Sequence, residues 1–227
     1  MRASALLIFA AMSSALAGDA EPPKAPAPDT AAAAAPAPAR TPDQVSALRK
    51  AILDGFADVH AHARTAAADL VIAAWPDTAP ILDEALVSKD AGVRLEAATL
   101  LGRDELGDMR DRIRRKFADA DDLVRRQAVR AARHLEWPEV EPALVAFVAR
   151  DGAWIVRQEA LRGLLDHGTV ACLRTVLNGW QADKDDEHRA RYKRILVKLL
   201  GSDLGDDTNA WLTAIEKAES KARAAKK

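Results

Sequence analysis

The chain has 227 residues, a formal net charge of −1 and a single cysteine. Near-neutrality argues against a polyanion-binding protein, which needs an excess of Lys and Arg to neutralise phosphates, and one cysteine excludes an intramolecular disulfide. Hydrophobic residues make up 49% but aromatic residues only 4%, so the core must be aliphatic and alanine-rich, a composition that favours helices over a large sheet.

The first element reads as an export signal. Arg2 supplies a positive n-region, Ala3 to Met12 is an apolar stretch, and Ala15-Leu16-Ala17 forms an A-x-A cleavage site. Cleavage is expected after Ala17, which makes residues 1–17 a signal peptide and the mature protein periplasmic or secreted. The apolar stretch ends at Ser13-Ser14, short of the roughly 20 residues a spanning helix requires, and no later stretch is long enough to span. No cysteine follows it, so no lipoprotein anchor is expected. Residues 18–42 are mostly Ala, Pro, Thr and Asp, with too little apolar bulk to bury, and read as a disordered linker.

The folded part is expected over residues 43–215. Thr41-Pro42-Asp43 suits a helix start, and Val45, Leu48, Ile52 and Phe56 follow at spacings of three and four. A second helix is expected over 62–74, broken by Trp75-Pro76. Asp77 is the expected cap of a third, with Pro80 in its first turn. That helix runs to Val87, the turn Ser88 to Gly92 carries Asp90 as a cap, and Val93 to Leu101 follows. The cycle then recurs: helices over 108–117 and 123–135, over 140–149 and 154–165, and over 170–180 and 187–200, the last ended by Gly201.

The recurrence is visible residue by residue. Trp75-Pro76-Asp77-Thr78-Ala79-Pro80-Ile81-Leu82 returns 62 residues later as Trp137-Pro138-Glu139-Val140-Glu141-Pro142-Ala143-Leu144. Val93-Arg94 recurs at Val124-Arg125 and at Val156-Arg157, after 31 and 32 residues. A helical repeat of this length predicts an all-α architecture, an α-solenoid of about five helical hairpins. Aligned on Val93, the equivalent positions are His62, Val124, Val156 and His188. Four residues on lie Ala66, Ala97, Ala128 and Ala160, then Tyr192. The end units thus depart from the pattern, as capping repeats do.

Asp90-x-x-Val93-Arg94-x-x-Ala97-Ala98-x-x-Leu101 is matched by Asp121-x-x-Val124-Arg125-x-x-Ala128-Val129-x-x-Ala132 and by Val156-Arg157-x-x-Ala160-Leu161-x-x-Leu164, the third copy with Ala153 in place of the Asp. These residues resemble the HEAT repeat in its short prokaryotic form, over about residues 44–200, with other armadillo-like repeats as the near alternative. The resemblance implies a structural ladder between adjacent units from Arg94, Arg125, Arg157 and Arg189, with Asp90 and Asp121. It also implies that the segment Gly201 to Trp211 leads into a closing helix, in which Trp211, Leu212 and Ile215 seal the last repeat. Residues 216–227 read as a basic, solvated tail.

No catalytic constellation stands out. His60 and His62, two apart on a helix, would point about 200° apart, and neither zinc spacing nor a nucleophile motif is present. His134, His167 and His188 fall near helix ends, and Cys172 has apolar neighbours. Basic residues cluster in the middle. Arg110, Arg112, Arg114, Arg115 and Lys116 lie on one helix. Arg126, Arg130 and Arg133 lie on the next at spacings of four and three, so they share a face, and Arg130 aligns with Arg162 and Arg194. This column is either a solvated face paired with acids such as Asp122, Glu159 and Asp166, or a groove for an anionic partner. In HEAT proteins the second helices line the concave face. The expectation is therefore a non-catalytic, monomeric scaffold that binds a protein through Arg126, Arg130, Arg133, Arg162 and Arg194, without metal or cofactor. HEAT-like DNA glycosylases use a comparable groove, but the export signal and near-neutral charge argue against nucleic acid. The alternatives are an enzyme or enzyme subunit with an unrecognised small-molecule or metal site, and a structural spacer.

Overall fold

A computed structural model of the chain describes residues 40–135 and 137–225, which hold eleven α-helices and no strand. The expected export signal, 1–17, and the expected linker as far as residue 39 lie outside the described residues.

Several helices begin where a side chain accepts from free backbone N–H groups. α1 (Pro42–Ala57) opens with a capping box: Gln44 N–H donates to Thr41 Oγ1 (3.3 Å), and Thr41 N–H donates to Gln44 Oε1 (2.8 Å). α2 spans Ala61–Ala73 and α3 spans Ala79–Leu86. α4 (Ala91–Thr99) is capped by Asp90, which accepts from Gly92 N–H (2.7 Å) and Val93 N–H (3.3 Å). A short α5 (Arg110–Lys116) leads to α6 (Asp122–Ala131), where Asp121 accepts from Leu123 and Val124 N–H (2.9 and 3.1 Å). α7 (Trp137–Arg150), α8 (Trp154–His167), α9 (Leu173–Ala182) and α10 (Asp186–Leu200) follow. Gly201 ends α10 in the left-handed region, φ 76°, where glycine carries no Cβ penalty. α11 (Thr208–Ala224) closes the chain.

Three features depart from the sequence expectation. Thr78, not Asp77, immediately precedes α3; its buried hydroxyl donates to the Val71 carbonyl (2.8 Å), while Asp77 pairs with Arg40. α7 begins at Trp137, three residues before the expected start at Val140, because proline in a first turn forfeits no hydrogen bond. α11 continues to Ala224 through residues expected to be wholly solvated, yet Glu219 there receives Arg174 Nε at 2.7 Å.

α1 packs on α2, α3 on α4, α5 on α6, α7 on α8 and α9 on α10. The second members also touch in succession, α4 to α6 to α8 to α10. Their shared positions form the core: Val93, Val124 and Val156, then Ala97, Ala128 and Ala160, are all buried. On α2 the buried small residue is Ala67, and Ala66 is exposed. At the far end Trp211 and Ile215 of α11 are fully buried against the last helices.

Candidate functional site

Four arginines at the starts of the second helices make the same set of bonds. Arg64 donates to the carbonyls of Asp58 and Val59, Arg94 to Ser88 and Lys89, Arg125 to Asp119 and Ala120, and Arg157 to Asp151 and Gly152, all within 2.9–3.2 Å. Each guanidinium then reaches a carboxylate of the following unit. Arg64 meets Glu96 (2.7 Å), Arg94 meets Asp119 (3.1 Å), Arg125 meets Asp151 (2.9 Å), and Arg157 approaches Asp183 (3.8 Å). Burial pushes the Asp119 and Asp151 carboxyls up, but arginine and backbone hydrogen bonds outweigh it and hold both below the ordinary carboxylate range. Asp151 in turn raises Arg125.

The relay receives its arginines on Asp119, Asp151 and Asp183, whereas Asp90 and Asp121 cap helices. It includes Arg64, and it fixes the first unit one residue later than the His62 alignment. Arg189 makes no such contact: it lies 4.9 Å above the Trp180 ring and 3.7 Å from Asp186. The missed carboxylates had a signal in the sequence, since Asp119, Asp151 and Asp183 are each 32 residues apart.

The two basic clusters differ in compensation. On α5, Arg112 and Arg115 pair with Asp83 (2.6 and 3.3 Å), Arg114 with Glu139 (2.6 Å), Arg110 with Asp108 (3.0 Å) and Lys116 with Asp119 (3.0 Å). On α6, α8 and α10 the situation is reversed. Arg126, Arg130, Arg191 and Arg194 form no ion pair with any described residue, and all but the half-buried Arg126 are exposed. Arg162 has only Glu159, at 3.8 Å. Arg133 is the exception, held by Asp166 (2.8 Å) and Glu159 (3.9 Å). Arg162 and Arg194 line one groove, between α8 and α10, together with Arg191, which the alignment on Arg130 had passed over. Arg130 lines a different groove, between α4 and α6, with Arg126 one turn back along α6.

The remaining polar groups are tied into the fold. Cys172 is buried, its thiol donates to the Thr169 carbonyl (3.1 Å), and burial pushes it up to about 12. His188 stacks on Trp154 (3.4 Å between centroids) and meets Asp183 through Nδ1 (3.2 Å). His60 precedes α2 rather than lying on it, and its Nδ1 meets Asp58 (2.8 Å). A separate open cleft of about 570 Å³ is lined by Arg150, Arg157, Asn178, Asp183, Lys184 and Tyr192, among others.

No protein-family model matches the chain, and no curated protein sequence matches it.

Proposed function

We propose that the chain is an exported, non-catalytic HEAT-type helical-repeat scaffold that binds a partner protein through the face formed by α6, α8 and α10. The observation that carries this reading is the contrast between the two basic clusters. The α5 arginines are neutralised by neighbouring carboxylates, whereas Arg126, Arg130, Arg191 and Arg194 pair with no carboxylate among the described residues, on helices that pack side by side. A column of uncompensated guanidinium groups raises the local potential on a chain of net charge −1. The relay beneath it fixes adjacent units in register, so little ordering is required on binding. The successive packing of α4, α6, α8 and α10, with one arginine bond set repeated at four starts, supports the solenoid assignment. Export rests on the sequence of residues 1–17.

The test is affinity capture from the native exported fraction at low and high salt, with wild type and with Arg130→Glu/Arg162→Glu. The expected result is a partner retained by wild type and lost by the variant, with helicity unchanged by circular dichroism. A partner retained equally by both sinks the arginine face as the docking surface.

A second reading, a small-molecule-binding subunit, is favoured by the 570 Å³ cleft, whose size lies in the range of ligand pockets and whose rim carries Arg150 and Lys184. Native mass spectrometry of the purified chain distinguishes it: a retained small molecule supports the subunit, and a bare mass supports the scaffold.

A further inference from the structure

The side-by-side packing of the second helices places equivalent positions in each successive groove. Between α4 and α6 the groove holds Ala98, Thr99 and Gly102 opposite Gln127 and Arg130. Between α8 and α10 it holds Leu161, Arg162 and Leu165 opposite Arg191 and Arg194. These are the same helix positions, 63 residues on for the first set and 64 for the second. The groove between them, α6 against α8, is filled by the protein itself: the Glu159 carboxylate lies 3.9 Å from Arg133 and 3.8 Å from Arg162, and Asp166 takes Arg133 at 2.8 Å.

Glu159, Gln127 and Arg191 occupy the same repeat position, 32 residues apart at each step. Where the middle groove carries its own carboxylate, the α8/α10 groove carries a third arginine. Arg162, Arg191 and Arg194 therefore line a hollow of about 110 Å³ that no carboxylate among the described residues lines. Its lining also includes Leu161 and the half-buried Leu165, which leaves room for one aliphatic side chain.

We infer that the groove between α8 and α10 receives an acidic peptide segment of the partner, with one apolar side chain set against Leu161 and Leu165 and flanking carboxylates on Arg162, Arg191 and Arg194. Guanidinium forks suit carboxylates through paired N–H···O bonds, and at the equivalent position of the middle groove the Glu159 carboxylate lies within 4 Å of two arginines, by charge proximity and without a hydrogen bond to either. The inference rests on the scaffold reading and specifies the chemistry of what docks there.

The test uses the full chain and labelled peptides in fluorescence anisotropy: a Glu-rich peptide with one central Leu, the same peptide with Ser for Leu, and a single-stranded oligonucleotide of equal charge. The Leu peptide is expected to bind and to weaken at high salt, with the Ser peptide on the order of tenfold weaker. Arg191→Glu places in this groove the residue type that fills the middle one, and is expected to abolish binding while circular dichroism and the melting temperature stay those of wild type. Equal binding of the Leu and Ser peptides overturns the groove assignment and leaves a diffuse arginine attraction. An oligonucleotide that competes as strongly as the Leu peptide overturns the carboxylate assignment. Absence of binding by every probe to a folded chain overturns the inference alone if the capture experiment still yields a partner lost on Arg130→Glu/Arg162→Glu. If that partner is also missing, the scaffold reading falls with it.

Discussion

Asp119 shows how much one carboxylate can organise. Its two oxygens accept from Arg94 Nε (3.2 and 3.1 Å) and from Lys116 Nζ (3.0 Å), its Oδ1 accepts from Asp121 N–H (3.1 Å), and its carbonyl accepts from Arg125. The side chain is only 5% exposed. Lys116, itself buried, has one further partner among the described residues, the Leu86 carbonyl. Asp119→Ala strands two largely buried cations, and breaking such a pair from one side costs about 3 kcal/mol, to be read by urea denaturation. A loss no larger than that of an ordinary surface substitution, about 0.5 kcal/mol, would show that the relay is ornamental. The relay also sets an acid limit. Asp119 and Asp151 have folded-state values below their unfolded ones, so their contribution is complete above the unfolded value of about 3.9 and is lost as pH falls through the folded values. Wild type should lose stability below about pH 4 more steeply than Asp119→Ala, which has one fewer such proton to take up.

At the scale of elements, the last hairpin replaces the repeating alanine by Tyr192 and makes room for it with Gly179. A Cβ built on Gly179 would lie 2.4 Å from Tyr192 Cε1 and 2.9 Å from its Cζ. The ring is 2% exposed, so moving it aside disturbs packed neighbours. Gly179→Ala should therefore destabilise by about 1–3 kcal/mol through overpacking. Tyr192→Ala should cost more, through the cavity it opens. The double variant, which restores the Ala type of Ala97, Ala128 and Ala160, should cost clearly less than the sum, a coupling that a double-mutant cycle measures. Simple additivity would mean that the two residues are not complementary. This pairing was invisible in the sequence: Gly179 and Tyr192 are 13 residues apart on different helices, and their contact depends on the angle between α9 and α10. Elements governed by local rules were legible. Asp90 was readable as a cap because its capping bonds stay within three residues; Asp121, which the resemblance assigned to the ladder, caps α6 in the same way. The first unit was misplaced by one residue because Ala66 and Ala67 look alike in sequence, and only burial and the Arg64 bonds separate them. For the proposed arginine face, helical spacing grouped Arg126, Arg130 and Arg133 and the repeat alignment added Arg162 and Arg194, but which of them carry counter-ions depends on tertiary neighbours, as Arg133 shows.

On the scale of the whole molecule, the last packed pair, α9 and α10, would leave apolar side chains open to water unless something covered them. Here the cover is α11. Trp211 is fully buried and its indole N–H donates to the Gly205 carbonyl (3.0 Å), so burial leaves no polar group unpaired. Ile215 is buried one turn on, and Glu219 ties the outer end of the helix to Arg174. α11 packs against α9 and against the turn 170–172 that carries Cys172. The thiol is therefore both sealed and, at about 12, almost wholly protonated at neutral pH. Cys172 reports on the seal. In the intact chain it should resist thiol-specific labels until global unfolding. Trp211→Ala should lose about 3–5 kcal/mol as a large buried side chain is removed, and a chain ending before Thr208 should label Cys172 rapidly and bind a hydrophobic dye, as the uncovered faces of α9 and α10 meet water. A truncated chain with an unchanged melting temperature and a Cys172 still closed to labels would mean that the hairpins bury their own end, and that α11 is an attachment rather than part of the core.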